Sequence, residues 1–354
     1  MARPLQKGYA FPRQTQDQHE RIRSMHLRFA FLLALSTCTV CAVSEQNLNQ
    51  ELDATPAGRL VLDVDFGNVD VTAGADGKAS IQAHRKIDSD NEAREKEYFA
   101  EVPIVVEQQG DTITVRARRS DRKDWSWSGH VNMDAHYTIR LPKQFNVDLR
   151  TGGGVVSVSG LKGEIKTNTS GGKLKFTQLE GPIDGKTSGG SIEMSSCNGD
   201  SNINTSGGSI DVKSGRGRLE ARTSGGSIAV RDYVGDTDVK TSGGRLALEN
   251  VSGKITGKTS AGSIDLSLAD PVTDDVNLDS SAGSIDVIVP PKAGLTVDAK
   301  TSMGKIRTEI PMLAMKSDDD RLQGTLNGGG KSLVLRASVG SITIKPNTAA
   351  MTAR

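Results

Sequence analysis

The stretch Thr205-Ser206-Gly207-Gly208-Ser209-Ile210-Asp211-Val212 decides the fold of this chain, because near copies of it recur every 18 residues. Close copies begin at Thr151, Thr169, Thr187, Thr223, Thr241 and Thr259, and looser copies begin at Ser280, Thr301 and Ala337. A short fixed period with glycines in phase is typical of a solenoid, in which each repeat is one coil that buries its apolar face against its neighbours. The sequence therefore predicts a stack of similar coils.

Within each copy, apolar and polar residues alternate in a way that predicts strands. With the threonine as column one, columns six and eight are apolar and column seven is mostly polar, as in Ile210-Asp211-Val212. This period of two indicates a short strand with one buried face. Column thirteen is a glycine that suits a turn with positive φ, and it is Gly163, Gly181, Gly199, Gly217, Gly235 and Gly253. Columns fifteen and seventeen then form a second inward row.

These patterns predict an all-β fold, namely a single-stranded parallel β-solenoid with an N-terminal β-rich cap. Each coil contributes two strands, and successive coils are expected to pair in parallel about 4.8 Å apart. A left-handed hexapeptide helix also uses 18 residues per coil, but it needs an aliphatic residue every six positions, and column eighteen is polar or charged here. We therefore expect the right-handed form, the hand of nearly all parallel crossover connections.

The same patterns divide the chain into five segments. These are a signal peptide with an extended N-terminus (1–44), a linker (45–58), the N-terminal β-rich capping region (59–150), the solenoid repeats with a loop insertion at about 311–326 (151–346), and a polar tail (347–354). A cap is expected because an open solenoid end exposes unpaired backbone groups that promote edge-to-edge aggregation. Within the cap, Asn91 to Phe99 is expected to form a short helix.

The first segment has the features of a secretory signal peptide. The basic start Met25-His26-Leu27-Arg28 leads into the apolar run from Phe29 to Leu35, which is too short to cross a bilayer. The 24 residues before it are polar and basic, so Met1 and Met25 are both candidate starts. We expect the protein to be exported, with no transmembrane span left after the signal is removed.

The end of this segment leaves two mature forms open. Cleavage near Ala42 or Ser44 would release a free protein. The imperfect lipobox Leu35-Ser36-Thr37-Cys38 would instead give a lipoprotein anchored through Cys38. Either form could reside in the periplasm, at the cell surface or outside the cell.

Composition and motifs give no support for nucleic-acid binding or for enzymatic chemistry. The formal net charge is +1 and 4% of the residues are aromatic. This balanced composition does not indicate a nucleic-acid partner. The chain has no Gly-x-Ser-x-Gly, no phosphate loop and no zinc spacing, and its repeats miss the calcium-binding Gly-Gly-x-Gly-x-Asp pattern. We expect a non-enzymatic protein without cofactor, metal or catalytic residue.

Two groups of side chains with reactive or ligating potential have simpler interpretations. Cys197 falls in an inward column and is expected to be a buried small hydrophobe, because thiol reactivity needs exposure and a lowered pKa. His130, Asp134 and His136 carry donor atoms for a metal, but no fourth ligand is visible beside them.

Charged residues on the outward columns are the first candidates for ligand contact. Column eighteen supplies the cations Lys186, Arg222, Lys240 and Lys258. Column sixteen supplies Asp184, Glu220 and Asp238 two residues earlier on the same exposed face. Strand neighbours of opposite charge are most simply a solvated face with small gain in stability. The sharper interpretation is a basic ladder that binds an anionic glycan or lipopolysaccharide.

The second candidates are Trp125 and Trp127, which lie in a charged, glycine-containing stretch before a strand. Two tryptophans at this spacing can stack on sugar rings or on a partner surface. They can equally cover the apolar edge of the cap.

The run of Thr-Ser-Gly-Gly-Ser-Ile-Asp-Val units resembles the bacterial family DUF4097, for which an adhesin role has been suggested. The closing stretches from Lys305 to Pro311 and from Ala337 to Ile342 are similar to the ending of that family. The resemblance covers roughly residues 58–345 and implies a secreted or envelope β-solenoid. It supplies no catalytic positions.

Two classes of function remain. The chain is either a binding module that presents its regular surface to a glycan or protein partner, or an envelope scaffold or regulatory protein whose rod pairs with other proteins. An enzyme acting on polysaccharide is a distant third, because active sites normally interrupt repeat regularity. The sequence leaves the oligomeric state open.

Overall fold

The computed structural model describes residues 44–119 and 129–347, and these residues form two long sheets around a large apolar core, with a second, small cluster of Ile87, Tyr98 and Val102. Each coil of the repeat contributes one strand to a 14-stranded sheet, here called the first sheet, and one to a 15-stranded second sheet. Neighbouring repeat strands run parallel in both sheets. The predicted parallel β-solenoid is confirmed.

The N-terminal part carries the only helix of the described residues. Its elements are β1 (Ser44–Asp53), β2 (Arg59–Val64), β3 (Asn68–Ala73), β4 (Lys78–Ser89), α1 (Glu92–Glu101), β5 (Val105–Gln109), β6 (Thr112–Ala117) and β7 (Val131–Leu141). The predicted helix forms, and the Asn91 side chain accepts a hydrogen bond from the backbone N–H of Arg94 at 3.1 Å. This is the usual N-cap arrangement, in which a side chain satisfies a free amide of the first turn.

The repeats alternate between the two sheets. Their strands are β8 (Asn146–Thr151), β9 (Val156–Ser159), β10 (Ile165–Thr169), β11 (Leu174–Thr177), β12 (Ile183–Thr187), β13 (Ile192–Asn198), β14 (Ser201–Asn204), β15 (Ile210–Arg216), β16 (Leu219–Arg222), β17 (Ile228–Val234), β18 (Thr237–Thr241), β19 (Leu246–Ser252), β20 (Ile255–Ala261), β21 (Ile264–Leu268), β22 (Val276–Ala282) and β23 (Ile285–Val289). Each residue pairs with the residue in the same column of the next coil, as Ile192 does with Ile210 and Ile210 with Ile228. Columns six and eight are buried in the seven close copies, as predicted.

The C-terminal part completes both sheets. Its strands are β24 (Leu295–Met303), β25 (Ile306–Thr308), β26 (Leu313–Ser317), β27 (Arg321–Leu326), β28 (Lys331–Val339) and β29 (Ile342–Pro346). The segment expected to loop out at about 311–326 instead contains the antiparallel pair β26 and β27, which continues the second sheet beside β24. In β27, Leu322, Gly324 and Leu326 alternate with more exposed residues and face the core.

In the coils that begin at Thr151 to Thr241, two corners have a backbone with positive φ. The glycines of column thirteen have φ between 101° and 155°, which confirms the predicted turn. Column ten is a second left-handed corner that the sequence did not indicate, with φ between 52° and 56° at Gln178, Ser196, Ser214, Asp232 and Asn250. Polar residues tolerate this conformation better than β-branched ones, and none of these five is β-branched.

At both ends of the stack, the order of the coils differs from the order along the chain. At the N-terminal end, β2 and β3 lie between the coil of β6 and β7 and the coil of β8 and β9. At the C-terminal end, β28 and β29 lie between the coil of β22 and β23 and the coil of β24 and β25. The copy that begins at Ala337 therefore stacks inside the copy that begins at Thr301, against their order in the sequence.

The N-terminal region expected to cap the solenoid continues both sheets as well. Strands β2, β3, β6 and β7 pair in parallel within the stack, and β1, β4, β5 and α1 are added around its end. The segment interpreted as a linker at 45–58 contains β1, which pairs antiparallel with β4 over ten residues and forms the edge of the first sheet. The residues of β1 alternate between exposed and half-buried because one side of this strand faces the core.

Candidate functional site: the outer faces of the two sheets

The outer side chains of columns sixteen and eighteen on the second sheet form a regular polar surface, which we call the ladder face. The strand register places Lys186, Asn204, Arg222, Lys240 and Lys258 in one row on five successive coils. The structure therefore brings together the four cations that the sequence singled out. Their spacing is the distance between parallel strands, about 4.8 Å.

Three of these four cations are engaged in ion pairs along the ladder face. Lys186 lies 3.0 Å from Asp184, and Lys240 lies 2.9 Å from Asp238. Arg222 bridges two coils, at 2.9 Å from Glu220 and 3.5 Å from Asp238. These side chains remain partly exposed, so each pair adds little to stability, but together the pairs hold the charged groups in a fixed array.

The charges of the ladder face are nearly balanced. The guanidinium groups of Arg222 and Arg218 hold the pKa of Glu220 below its usual value, so this carboxylate stays ionised in the array. Among residues 44–119 and 129–347, Lys258 has no ion pair and its neighbours across the ladder are Lys240 and Asp279. The C-terminal end of the row is thus where a cation is free to meet an anionic group.

The ladder face has no deep cavity in its described part. A shallow depression of about 340 Å³ lies among Asp184, Asp200, Asn202, Arg218 and Glu220. The amide of Asn204 donates to the side-chain oxygen of Asn202 at 2.8 Å. Alternating donors and acceptors on a flat surface can hydrogen-bond to hydroxyl or carboxylate groups of an extended ligand.

The second pair of candidates lies outside the described residues. Trp125 and Trp127 belong to the interval 120–128, between Arg119 and Gly129. On the described side of this interval, the backbone N–H of His130 donates to Asp90 at 2.9 Å.

The histidines and acids considered as metal ligands separate in the structure. His130 lies near Asp90, whereas His136 and Asp134 lie on the outer side of β7, with 3.2 Å between His136 Nε2 and Asp134 Oδ1. No group of three or more His, Cys, Asp or Glu side chains in the described ranges could hold a metal ion. His84, on β4, lies directly opposite His136, and no pattern in the sequence indicates this pairing.

Cys197 is buried in the core, and burial raises the pKa of its thiol. Tyr233 lies two coils further along the same inward column, with Gly215 between them. A Cβ atom at Gly215 would lie 2.7 Å from the Tyr233 ring, so the ring fills the space that a side chain would occupy there. This packing leaves the thiol inaccessible and matches the structural interpretation of Cys197.

Sequence reasoning also missed a wide groove of about 620 Å³ at the N-terminal end of the first sheet. Small residues at Ala73 to Ala75 line it together with Thr72, Ser80 and Arg140. Lys78 at its rim is paired with Asp53 at 2.9 Å. The groove depends on β7, which pairs with both β3 and β4. β7 is distant from both of these strands in the sequence.

A sequence model of the family Toastrack DUF4097 matches residues 59–345. The chain belongs to the Toastrack family. The match includes the strands β2 to β7 as well as the repeats, in agreement with their continuous sheets. The resemblance seen in the sequence is thereby confirmed.

Solved structures that resemble this Toastrack chain are distant from it. A proposed adhesin from Parabacteroides merdae is 14% identical, with 85% of this chain and 96% of that chain covered and a TM-score of 0.36. A proposed adhesin from Bacteroides fragilis is 13% identical, with 86% and 98% covered and a TM-score of 0.34. A proposed lipid-binding protein from Parabacteroides distasonis is 12% identical, with 85% and 96% covered and a TM-score of 0.30. These likenesses are too weak to carry an argument about function.

No curated protein matches the Toastrack chain significantly. In the described residues, no helix has the length and apolar character needed to cross a membrane.

Proposed function

We propose that this Toastrack protein is an exported, non-enzymatic binding protein that presents the ladder face to an extended anionic glycan or lipopolysaccharide. The observation that carries the proposal is the unbroken row from Lys186 to Lys258, which repeats the same polar geometry on successive coils. A repeated surface suits a repeated ligand, because each additional coil adds the same contacts and the contacts act together. Lys258, without an ion pair in the described residues, offers a cation for an anionic group.

Export is the second part of the proposal. The first strand begins at Ser44, directly after the basic and apolar segment that resembles a signal peptide. We place the mature protein in the periplasm, at the cell surface or outside the cell, with lipidation at Cys38 as the alternative to release. Protease treatment of tagged protein on intact cells, and on cells with an opened outer membrane, distinguishes the surface from the periplasm.

A scaffold or regulatory role in the envelope is the alternative function. It is favoured by the near balance of charge on the ladder face, where Asp184, Glu220 and Asp238 neutralise most of the row. A balanced face attracts a polyanion weakly from a distance but can pair specifically with a protein surface of matching pattern.

Charge reversal on the ladder face tests the binding proposal. We expect Lys240→Glu with Lys258→Glu to weaken binding to purified lipopolysaccharide, or to an anionic envelope glycan, because two attractive charges become repulsive. The expected loss is about tenfold or more, which corresponds to about 1.4 kcal/mol or more of binding free energy. The measurement is the dissociation constant by biolayer interferometry at physiological salt.

The matched control moves the same charge change to the other sheet. Lys175→Glu with Lys213→Glu reverses two exposed lysines on the first sheet and should leave binding unchanged. Equal affinity of both double variants and the unaltered protein would contradict glycan binding by the ladder face. Capture of the solenoid by specific envelope proteins through the same face would favour the scaffold role.

A further inference from the structure

We propose that His84 and His136 form a binding site for a divalent transition-metal ion on the outer surface of the first sheet, with Zn²⁺ and Cu²⁺ as the preferred ions. The two histidines come from strands β4 and β7, more than 50 residues apart in the sequence. The site is separate from the ladder face, which lies on the second sheet.

The strand register brings the two side chains together. His84 and His136 are directly opposite each other in the antiparallel ladder of β4 and β7. Directly opposed residues have Cβ atoms about 4.5–5.5 Å apart, and their side chains leave the sheet on the same side. His84 is half-buried and the His136 side chain is 50% exposed, so both rings are accessible from solvent. Two imidazoles at this separation can bind one ion between them.

Each ring has one nitrogen engaged with an oxygen acceptor, which leaves the other nitrogen for a metal. His84 Nδ1 lies 2.7 Å from the side-chain oxygen of Asn47 on the neighbouring strand β1. His136 Nε2 lies 3.2 Å from a carboxylate oxygen of Asp134. Because the Asn47 oxygen accepts a hydrogen bond, His84 Nδ1 carries the proton and the lone pair belongs to His84 Nε2. The carboxylate beside His136 Nε2 favours the proton on that nitrogen, which leaves His136 Nδ1 for a metal.

This arrangement is the outer shell that metal-binding histidines normally have. Metal-ligating histidines donate the second ring N–H to a carboxylate or an amide oxygen, which fixes the ring and raises its basicity. Asp134 and Asn47 supply these two oxygens. Both oxygens are thus in place beside the rings before any metal binds.

The ligand set decides the class of ion and the strength of binding. Neutral imidazole favours Cu²⁺, Zn²⁺ and Ni²⁺ over the oxygen-seeking Mg²⁺ and Ca²⁺. The described residues provide no cluster of three His, Cys, Asp or Glu side chains, so water completes the coordination and binding is expected in the micromolar range. The Irving–Williams order predicts the tightest binding for Cu²⁺.

The test is titration of the full chain, without a histidine tag, with Zn²⁺, Cu²⁺ and Mg²⁺ in an isothermal titration calorimeter. We expect one Zn²⁺ or Cu²⁺ site in the unaltered protein that is lost in His84→Asn and in His136→Asn, and no binding of Mg²⁺. His130→Asn is the matched control and should bind as the unaltered protein does. Asp134→Asn should weaken binding by about tenfold, the usual effect of removing an outer-shell carboxylate.

A second measurement does not depend on the folding of variants. Diethyl pyrocarbonate modifies accessible histidines, and mass spectrometry of the unaltered protein should show that Zn²⁺ protects His84 and His136 together while His130 stays reactive. Protection of neither histidine, or of one alone, would overturn the proposal. A Zn²⁺ site that survives both His84→Asn and His136→Asn would also overturn it. Neither result would bear on glycan binding by the ladder face.

Discussion

At the scale of single residues, the two glycines of each Thr-Ser-Gly-Gly corner have different roles. A Cβ atom on the column-four glycine Gly226 would overlap the carbonyl oxygen of Gly208 on the preceding coil, whereas one on the column-three glycine Gly225 would meet nothing closer than 3.6 Å. The column-one threonine Thr241 occupies the same corner, where its buried hydroxyl donates to the carbonyl of Gly226 at 2.8 Å. Close approach of successive coils is therefore what requires column four to be glycine.

This difference predicts opposite outcomes for two neighbouring substitutions. Gly226→Ala should lower the free energy of unfolding by about 3 kcal/mol, because the backbone of one coil must move away from the next. Gly225→Ala should change it by no more than about 0.5 kcal/mol, since column three already holds Ala261 and Ala282 in later coils. Urea unfolding followed by circular dichroism measures both. Similar losses for the two variants would contradict the role assigned to column four.

Tyr233 gives a second prediction at this scale. Its hydroxyl is buried and has no hydrogen-bond partner among residues 44–119 and 129–347, and burial raises the pKa of Tyr233 to about 12. A tyrosine that resists ionisation when folded but ionises at about pH 10 when unfolded loses its stabilising contribution as pH rises from 10 to 12. The protein should therefore be less stable at pH 11 than at pH 8.

Tyr233→Phe should reduce this alkaline loss by about 1 kcal/mol at pH 11. At pH 8 the same substitution should be neutral or stabilising, because it removes a buried polar group that has no partner. The measurement is urea unfolding at the two pH values. A clear destabilisation at pH 8 would show that the hydroxyl makes a hydrogen bond in solution.

At the scale of the coil, the coil that begins at Thr169 contains both members of one size-matched pair. Phe176 in column eight faces Gly185 in column seventeen of the same coil, where a Cβ atom would lie 2.9 Å from its ring. The large and the small residue therefore belong to one 18-residue unit from Thr169 to Lys186. Removing the unit removes both members and keeps the register of all other coils.

We therefore expect a variant lacking residues 169–186 to fold into a shorter solenoid. Repeat proteins lose stability roughly in proportion to the coils removed, so its unfolding midpoint should fall while the transition stays cooperative. Deletion of residues 169–177 is the control, since nine residues are half a coil and shift strands from one sheet toward the other. Circular dichroism and thermal unfolding compare the two. Equal folding of both would contradict the independence of the 18-residue coil.

At the scale of the whole molecule, intercalated strands protect both ends of the stack. The strands β2 and β3 and the strands β28 and β29 are paired on both sides instead of forming edges. Short strands remain at two of the edges, with three residues in β25 and five in β26. Short edges limit pairing with other chains, which is how many sheet proteins avoid aggregation. The long face between these ends is what the binding proposal and the scaffold proposal both use.

The sequence by itself determined the coil length, the buried columns and the glycine turns, because strand alternation and backbone close approach depend on residues within one or two repeats. It also indicated that Lys186, Arg222, Lys240 and Lys258 share a face. Only the tertiary structure decided that the copy at Ala337 lies inside the copy at Thr301, and that His84 meets His136. Alternation shows which side of a strand is buried, but the partner of a strand depends on contacts between segments far apart in the chain, and several partners offer the same apolar column.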